Sequence, residues 1–367
     1  MNDPRPTILV TGIAGNLGRR LLPLLSEFRI VGVDLSPVAE RPDIVVHPMH
    51  LERESCCREL VQLLRANDAV AVVHLAFVSD PRHVSFADQR RMWQVNVAGT
   101  ARVMEAIAEV NRHGGNVQRF VYLSSAAVYG PETKPLVDEE APLGTPALTY
   151  AMQKTEADSV VRFRAGSMGK CETYLLRPHI FGGAPVENYL MDIVRGRESS
   201  TGRLARIMRR KGIRAPLLLP TGELAPRKLF QFVHVDDVAR LVAWLLQKAP
   251  PQREKLLTLN VAGSGAPISI AKCAEIAGER MVQLPWGWMC AKLLSLLWNW
   301  GASAVPPDAF PYISGSYTTS TDRLRRLLGS DYAEVIRYSS EAALRDSFEA
   351  MEESQTALAQ MNEINAG

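Results

Sequence analysis

No stretch of this 367-residue chain reaches the ~18 uncharged apolar residues that a membrane-spanning helix requires. The nearest, Leu284 to Trp300, carries Lys292 and Asn299. The opening MNDPRPTILVTG has too short an apolar run for a signal peptide and leads straight into a glycine turn. The five cysteines (Cys56, Cys57, Cys171, Cys273, Cys290) are odd in number and lack C-x-x-C spacing. That argues against a disulfide framework or thiolate metal site, and reduced thiols in a cytoplasmic protein are the simplest expectation. A net charge of +3 and a pI near 8.6 are too mild to point to nucleic acid. There is no internal repeat and no low-complexity segment. What remains, 47% apolar and 22% charged residues, is ordinary for a soluble globular chain with one large domain and a smaller companion.

The first two-thirds alternates β-branched runs with helical stretches. The pattern predicts strands at Thr7–Val10, Ile30–Val33, Ile44–Val46, Ala71–Leu75, Phe120–Leu123 and Thr173–Leu176. Helices are expected over 17–28, 54–66, 88–112 and 150–167. Such alternation predicts an α/β fold, a doubly wound parallel sheet with both faces buried. After Arg177-Pro178 the segment 183–228 is rich in Gly, Pro and Arg. One more strand is expected at Phe230–Val235, then a helix from Val238 to Leu246, and a strand at Thr258–Val261 that returns to the second half.

The strongest local signal is Thr11-Gly12-Ile13-Ala14-Gly15-Asn16-Leu17-Gly18. A strand ends at Thr11 and three glycines open a helix, as a pyrophosphate-binding turn requires. Gly12 suits the tight turn, Gly15 the approach of phosphate, and Gly18 close packing of the helix. The free amides of the helix start favour an anion. Asp34 closes the next strand, where a carboxylate accepts both ribose hydroxyls and repels a 2′-phosphate; Leu35, Ser36 and Pro37 follow without an arginine. NAD is therefore favoured over NADP, with capping of the next turn as the plainer role for Asp34. Residues 1–178 and 229–262 are assigned to a dinucleotide-binding Rossmann domain. Residues 179–228 and 263–330 are assigned to a smaller substrate-binding region, and 331–367 to a C-terminal helical tail.

Several segments in order resemble the extended branch of the short-chain dehydrogenase/reductase superfamily, the epimerase/dehydratase-like proteins. They are the G-x-x-G-x-x-G turn, Val72-Val73-His74-Leu75-Ala76, Asn96-Val97-Ala98-Gly99-Thr100, Val121 to Gly130 with Ser124-Ser125, Tyr150-Ala151-Met152-Gln153-Lys154, Leu176-Arg177-Pro178 and Phe232 to Val238, together covering roughly 7–262. The resemblance implies cofactor contacts at Gly12, Gly15, Asn16, Leu17, Gly18, Asp34, Leu51, Leu75, Ala76, Asn96, Tyr150, Lys154 and Pro178. It also implies a homodimer through the helices at 88–112 and 150–167. One departure stands out: His50 occupies the place of the family's adenine-binding acid, so backbone or Glu52 is expected there instead.

Tyr150 and Lys154 carry the chemistry. A free phenol, with a pKa near ~10, is a poor base at neutral pH. An ammonium four residues on, along one helical face, favours phenolate. Tyr150 is then the general acid/base, Lys154 tunes it and holds the ribose, and Ser125 binds the reacting oxygen, with Ser124 as alternate. Asn96 is expected to cap a helix beginning at Val97, or else to support a water relay. His234, Asp236 and Asp237 read as a strand-to-helix corner whose aspartate caps the helix at Val238, rather than as a metal site. His179 is expected either to touch substrate or to pack.

Residues absent from the family pattern narrow the reaction. Nucleotide-sugar dehydratases carry an Asp-Glu pair after the catalytic Ser/Thr; here Ala126-Ala127 stand there. Ile180 replaces the Asn that meets a nucleotide-sugar diphosphate. An arginine-rich stretch, Arg195 to Arg214, is expected to be an amphipathic helix with Leu204, Ile207 and Met208 inward, or an anion site. Four of the six tryptophans fall within 284–300, a core helix, a pocket wall or a peripheral membrane contact. The first reading is an NAD-dependent oxidoreductase acting on a bulky, partly apolar secondary alcohol or ketone. A nucleotide-sugar epimerase with tightly bound NAD is the alternative, and a non-catalytic NAD-binding regulator the third.

Overall fold

The computed structural model describes residues 4–79, 86–133, 136–184, 202–211, 217–222, 227–303 and 305–348. Arg195, Arg197 and Arg214 lie outside them, as do residues 349–367 of the expected tail.

Seven parallel strands form the central sheet. They are β1 (Thr7–Thr11), β2 (Arg29–Asp34), β3 (Val45–Pro48), β4 (Ala69–His74), β5 (Arg119–Leu123), β6 (Glu172–Pro178) and, after four short strands elsewhere, β11 (Leu256–Val261). Their order is β11-β6-β5-β4-β1-β2-β3, so the chain reverses direction across the sheet between β1 and β4. In such sheets the crevice at the reversal, outside the carboxyl ends of the strands, is where ligands bind. Side chains alternate between two cores. Ile8, Val10, Val73 and Val121 face one layer, and Leu9, Val72, Phe120 and Tyr122 face the other. Each fully buried aliphatic side chain of this kind stabilises the fold by roughly 1.5–3 kcal/mol.

One face is covered by α1 (Asn16–Leu21) and the helix Val235–Gln247, the other by the helices Cys56–Ala66, Gly99–Arg112 and Thr149–Arg164. Helix α1 is shorter than its apolar pattern suggests. Pro23 cannot continue the hydrogen-bond ladder, and the chain passes into a 3₁₀ turn at Leu22–Leu24.

The expected strand at Phe230–Val235 does not join this sheet. It breaks into β9 (Leu229–Phe230) and β10 (Phe232–His234), which pair with β12 (Ile268–Ser269) and β7 (Ile180–Gly182) respectively. Gln231 marks the break: its side-chain amide exchanges hydrogen bonds with the backbone of Thr319, accepting at 2.7 Å and donating at 3.2 Å. The strand at Thr258–Val261, expected to return to the second half, pairs with β6 and is the sheet's edge. Further out, β8 (Leu217–Pro220) pairs with β13 (Met281–Leu284). A helix over 340–348 is anchored to β7, where the Gly183 amide donates to the Ala343 carbonyl at 2.9 Å.

Candidate active site and dinucleotide cleft

The glycine turn is held by contact between two backbones. Gly12 has φ of +71°, and a Cβ there would lie 2.6 Å from the Ala76 amide nitrogen just past β4. Only glycine lets the turns after β1 and β4 touch. Gly18 meets the turn rather than a strand: an added Cβ would lie 2.3 Å from the Ile13 carbonyl oxygen. Asp34, at the end of β2, ties this turn to the next. Its Oδ2 accepts the Ala14 amide at 3.0 Å and its Oδ1 the Ser36 amide at 3.1 Å. A carboxylate with about four acceptor sites keeps capacity for two more donors.

Gly12, Gly15, Asp34, Leu51, Leu75 and Ala76 all line one cleft of about 860 Å³. That volume is within the range of cofactor sites, and the glycine cradle and the carboxylate fit a dinucleotide. Met49, Met92 and Val95 give it apolar walls, and Glu52 lines it where His50 does not. His50 instead bonds Glu52 through Nδ1 at 3.0 Å. Burial pushes the Glu52 carboxyl upward, but backbone and His50 hydrogen bonds outweigh it and leave the group below its ordinary range. Asn16, Leu17, Gly18, Asn96 and Pro178 do not border this cleft. Asn16 is exposed and accepts from Arg20 Nε at 3.0 Å.

Beneath the turn runs a proton-ordered chain. Thr100 Oγ1 donates to the Asn96 carbonyl at 2.7 Å, so it accepts from His74 Nε2 at 3.1 Å. His74 Nδ1 must then accept from Thr11 Oγ1 at 2.6 Å, and Thr11 in turn accepts from the Ala76 amide. Complete burial, with Lys154 nearby, pulls the His74 pKa down to about 3 and keeps the ring neutral.

Asn96 caps nothing. The helix begins ten residues earlier, at Phe86, and Asn96 lies within a π turn, Gln94–Ala98, that links it to the helix from Gly99. Its side chain clamps the loop after β4: Oδ1 accepts the Val78 amide at 2.7 Å and Nδ2 donates to the Val78 carbonyl at 2.8 Å. A third bond, Nδ2 to Gln153 Oε1 at 2.7 Å, ties that loop to the helix Thr149–Arg164.

On that helix Tyr150, Lys154 and Asp158 recur at every fourth position and form one inward stripe. Burial raises the Tyr150 pKa, and a contact with the Ser125 hydroxyl lowers it in part. Lys154 is 4% exposed and donates to the Leu123 carbonyl at 2.7 Å. Burial drives its pKa down to about 7, against the opposing pull of Asp158. Phe77, which no sequence motif singles out, lies over Lys154 and lines the cleft itself.

The two serines part ways. Ser125 Oγ faces Tyr150 and accepts the Ala127 amide at 3.1 Å. Ser124 Oγ instead donates to Asp158 Oδ2 at 2.7 Å, two turns further along the same helix. There Arg177 grips Asp158 through Nε at 2.9 Å and Nη2 at 2.8 Å, with both side chains fully buried. Arg177 Nη1 also donates to Tyr129 OH at 2.7 Å, and Tyr129 donates to Asn260 Oδ1 at 2.7 Å. Asp158 lies one further four-residue step beyond Lys154, and Tyr129 lies within the serine-bearing segment, so the sequence pattern leads to both without assigning either a role.

The second half contributes an aromatic wall. Tyr312 donates to the Ala127 carbonyl at 2.9 Å and packs edge-on to Tyr317, which meets His179 at 4.5 Å between ring centroids. Burial pulls the His179 pKa to about 3, so this histidine packs as a neutral ring. At the corner after β10 the helix cap is His234 rather than an aspartate. His234 Nδ1 accepts the Asp236 amide at 3.1 Å, because the helix already begins at Val235. Asp237 accepts the amides of Arg337 and Tyr338, both at 3.1 Å.

The fold has known counterparts. A short-chain dehydrogenase/reductase superfamily protein from Agrobacterium tumefaciens, solved with bound NAD, is 22% identical with a TM-score of 0.64, over 97% of this chain and 99% of the other. The Bordetella bronchiseptica enzyme WbmH in complex with NAD+ is 16% identical with a TM-score of 0.63, over 95% and 99%. UDP-glucose 4-epimerase from Thermotoga maritima, solved with UDP-glucose, is 18% identical with a TM-score of 0.61, over 95% and 99%. A search of curated protein sequences finds no match. The model of the NAD-dependent epimerase/dehydratase family matches residues 8–262, more than half of the sequence, and the chain belongs to that family.

Proposed function

We propose that this protein is an NAD-dependent oxidoreductase that interconverts a secondary alcohol and a ketone on a bulky, partly apolar small molecule. The observation that carries the reading is the convergence of Tyr150, Ser125 and Lys154 beside a glycine-lined cleft with a carboxylate at its far strand end. NAD, when bound, supplies the hydride acceptor. In the oxidising direction Tyr150 Oη takes the hydroxyl proton while Ser125 Oγ holds the same oxygen. The Lys154 ammonium, where protonated, favours the phenolate form of Tyr150. Asp34 supports NAD over NADP, since its carboxylate would meet a 2′-phosphate at close range. Phe77 and Tyr312, both close to Tyr150, support an apolar substrate.

Nucleotide-sugar epimerisation is the second reading. Its support is the family itself and neighbours solved with NAD or UDP-glucose. Against it stand Ile180 and the aromatic wall.

Reduced-nicotinamide absorbance separates the two. An oxidoreductase converts NAD and substrate one for one, whereas an epimerase turns over with no net change. Tyr150→Phe should abolish either activity; retention of full activity by that variant would sink the mechanism.

A further inference from the structure

Beyond the active site, the helix Gly287–Asn299 presents a surface that the proposed reaction does not use. Trp288, Lys292 and Leu296 follow at four-residue intervals, and Trp300 comes next just past the helix end, so all four share one face. Trp288 is 62% exposed, Leu296 42% and Trp300 69%. Cys290, on the opposite side, is buried against the protein. Trp286, 59% exposed, stacks on Trp288 with ring centroids 5.9 Å apart and planes 12° from parallel. This is the reverse of a core helix, because its largest apolar side chains face outward. A contiguous apolar patch of this kind marks an interaction site.

The segment that carries the patch is itself cationic, with Glu279 and Asp308 bounding it in sequence. From Arg280 to Pro307 the sequence has no acidic residue, and its only charges are Arg280 and Lys292, both exposed. The turn after the helix abuts a second cationic element: a Cβ on Gly202 would collide with the Gly301 carbonyl oxygen, so the helix Arg203–Arg210 starts against that turn. Of the three side chains expected to face inward, Ile207 is 47% exposed, while Leu204 and Met208 lie outside the described side chains; Ala205 is buried. Arg206, Arg210 and Lys211 are exposed on it, and residues 199–222 contain no acid.

We propose that this tryptophan and lysine face is a docking surface for an anionic lipid bilayer, on which the protein rests without spanning it. Tryptophan favours the headgroup boundary, where one part of the ring is apolar and the other wet. Lysine and arginine beside it add attraction to anionic headgroups. A second copy of the chain fits less well, because a two-fold contact through this face would bring Lys292 and the arginines against their own like charges. Among the described residues no helix is long and apolar enough to cross a membrane, so contact is limited to the interface.

Flotation of the full chain with phosphatidylcholine vesicles, with and without phosphatidylglycerol, tests this. The protein should float with the anionic vesicles at low salt, lose that binding as sodium chloride rises, and float poorly with phosphatidylcholine alone. Its tryptophan emission should shift to the blue on binding and be quenched by brominated lipid. The triple variant Trp286→Ser, Trp288→Ser, Trp300→Ser should bind about tenfold or more weakly with an unchanged melting temperature. Should that variant fold poorly, Lys292→Glu with Arg206→Glu alters only exposed side chains and should weaken anionic-vesicle binding about tenfold. Failure of the parent to float with anionic vesicles, or undiminished binding by the charge variant, overturns the proposal. A dimer that the tryptophan variant dissociates, with no vesicle binding by the parent, assigns the face to self-association instead.

Discussion

The Lys154 ammonium lies 3.7 Å from the centroid of the Phe77 ring, and the same ring meets Tyr150 edge-on at 5.6 Å between centroids. One aromatic side chain thus shields both the proposed acid/base and the neighbouring ammonium from water. Phe77 itself borders the cleft, with the Lys154 ammonium against its ring.

That burial makes stability depend on pH with a definite sign. Burial holds the folded-state pKa of Lys154 at about 7, against an ordinary value of 10.5. Between those values the unfolded chain binds one more proton, so stability should rise with pH by about 1.4 kcal/mol per unit and level off near the upper value. Below the folded value the full cost of burying the charge is present. Denaturant titrations at intervals from pH 6 to 10 should therefore show Lys154→Met more stable than the parent at pH 6, with the gap closing as pH rises. Phe77→Ala admits water and should flatten the difference; an unchanged slope in that variant would assign the depression to other neighbours.

The sheet was legible because its strands are continuous apolar runs bounded by turns, and every strand expected in the first 178 residues appears within two residues of its place. The second half was less so. Apart from β11, its described strands are two to four residues long and pair across distant sequence, as Phe230 does with Ile268, so no local periodicity announces them. At the site, Gly12 and Asp34 could be read because backbone conformation and charge constrain those positions by themselves. Asn96 could not, since its role depends on the Val78 backbone and that position follows from tertiary packing. The choice between Ser124 and Ser125 had the same obstacle: adjacent residues on an extended chain face opposite ways, and the sequence does not say which way each one faces.

The two serines should separate in kinetics. Ser125→Ala removes the hydroxyl beside Tyr150 and should lower kcat/KM by about 100-fold, as loss of a donor to a reacting oxygen does. Ser124→Ala removes one bond to a carboxylate that Arg177 still holds, costing about 1.5–3 kcal/mol of stability with activity largely kept. Steady-state rates and melting curves on both variants, using whichever substrate the nicotinamide assay identifies, distinguish them. Equal activity losses would overturn the assignment of Ser125.

Asp34 should decide cofactor choice. Removing the carboxylate in Asp34→Ala takes away charge-assisted acceptors for the ribose and frees the Ala14 amide, so NAD affinity should fall about tenfold or more. Adding Leu35→Arg to that variant places a cation beside the 2′ position and should move the preference toward NADP. Calorimetric titration with each nucleotide reads both effects. Tighter binding of NADP than NAD by the parent would contradict the role given to Asp34.

The Arg177–Asp158 pair should be the most sensitive polar contact in the fold. Both side chains are fully buried, and the two parallel hydrogen bonds of 2.8 and 2.9 Å leave neither charge exposed to water. Asp158→Asn leaves a buried guanidinium without its counter-charge and should cost about 3–5 kcal/mol. Replacing both partners together, as in Asp158→Leu with Arg177→Met, removes the charge that would be stranded and should cost less than the sum of the single changes. Urea unfolding of the two single variants and the double variant gives the coupling directly. The position of Asp158 one helical turn beyond Lys154 adds a second readout. With that carboxylate gone, the opposing pull on Lys154 disappears and its pKa should drop further below 7. The pH at which the stability slope begins should then move to more acidic values, a shift that loss of packing alone would not produce.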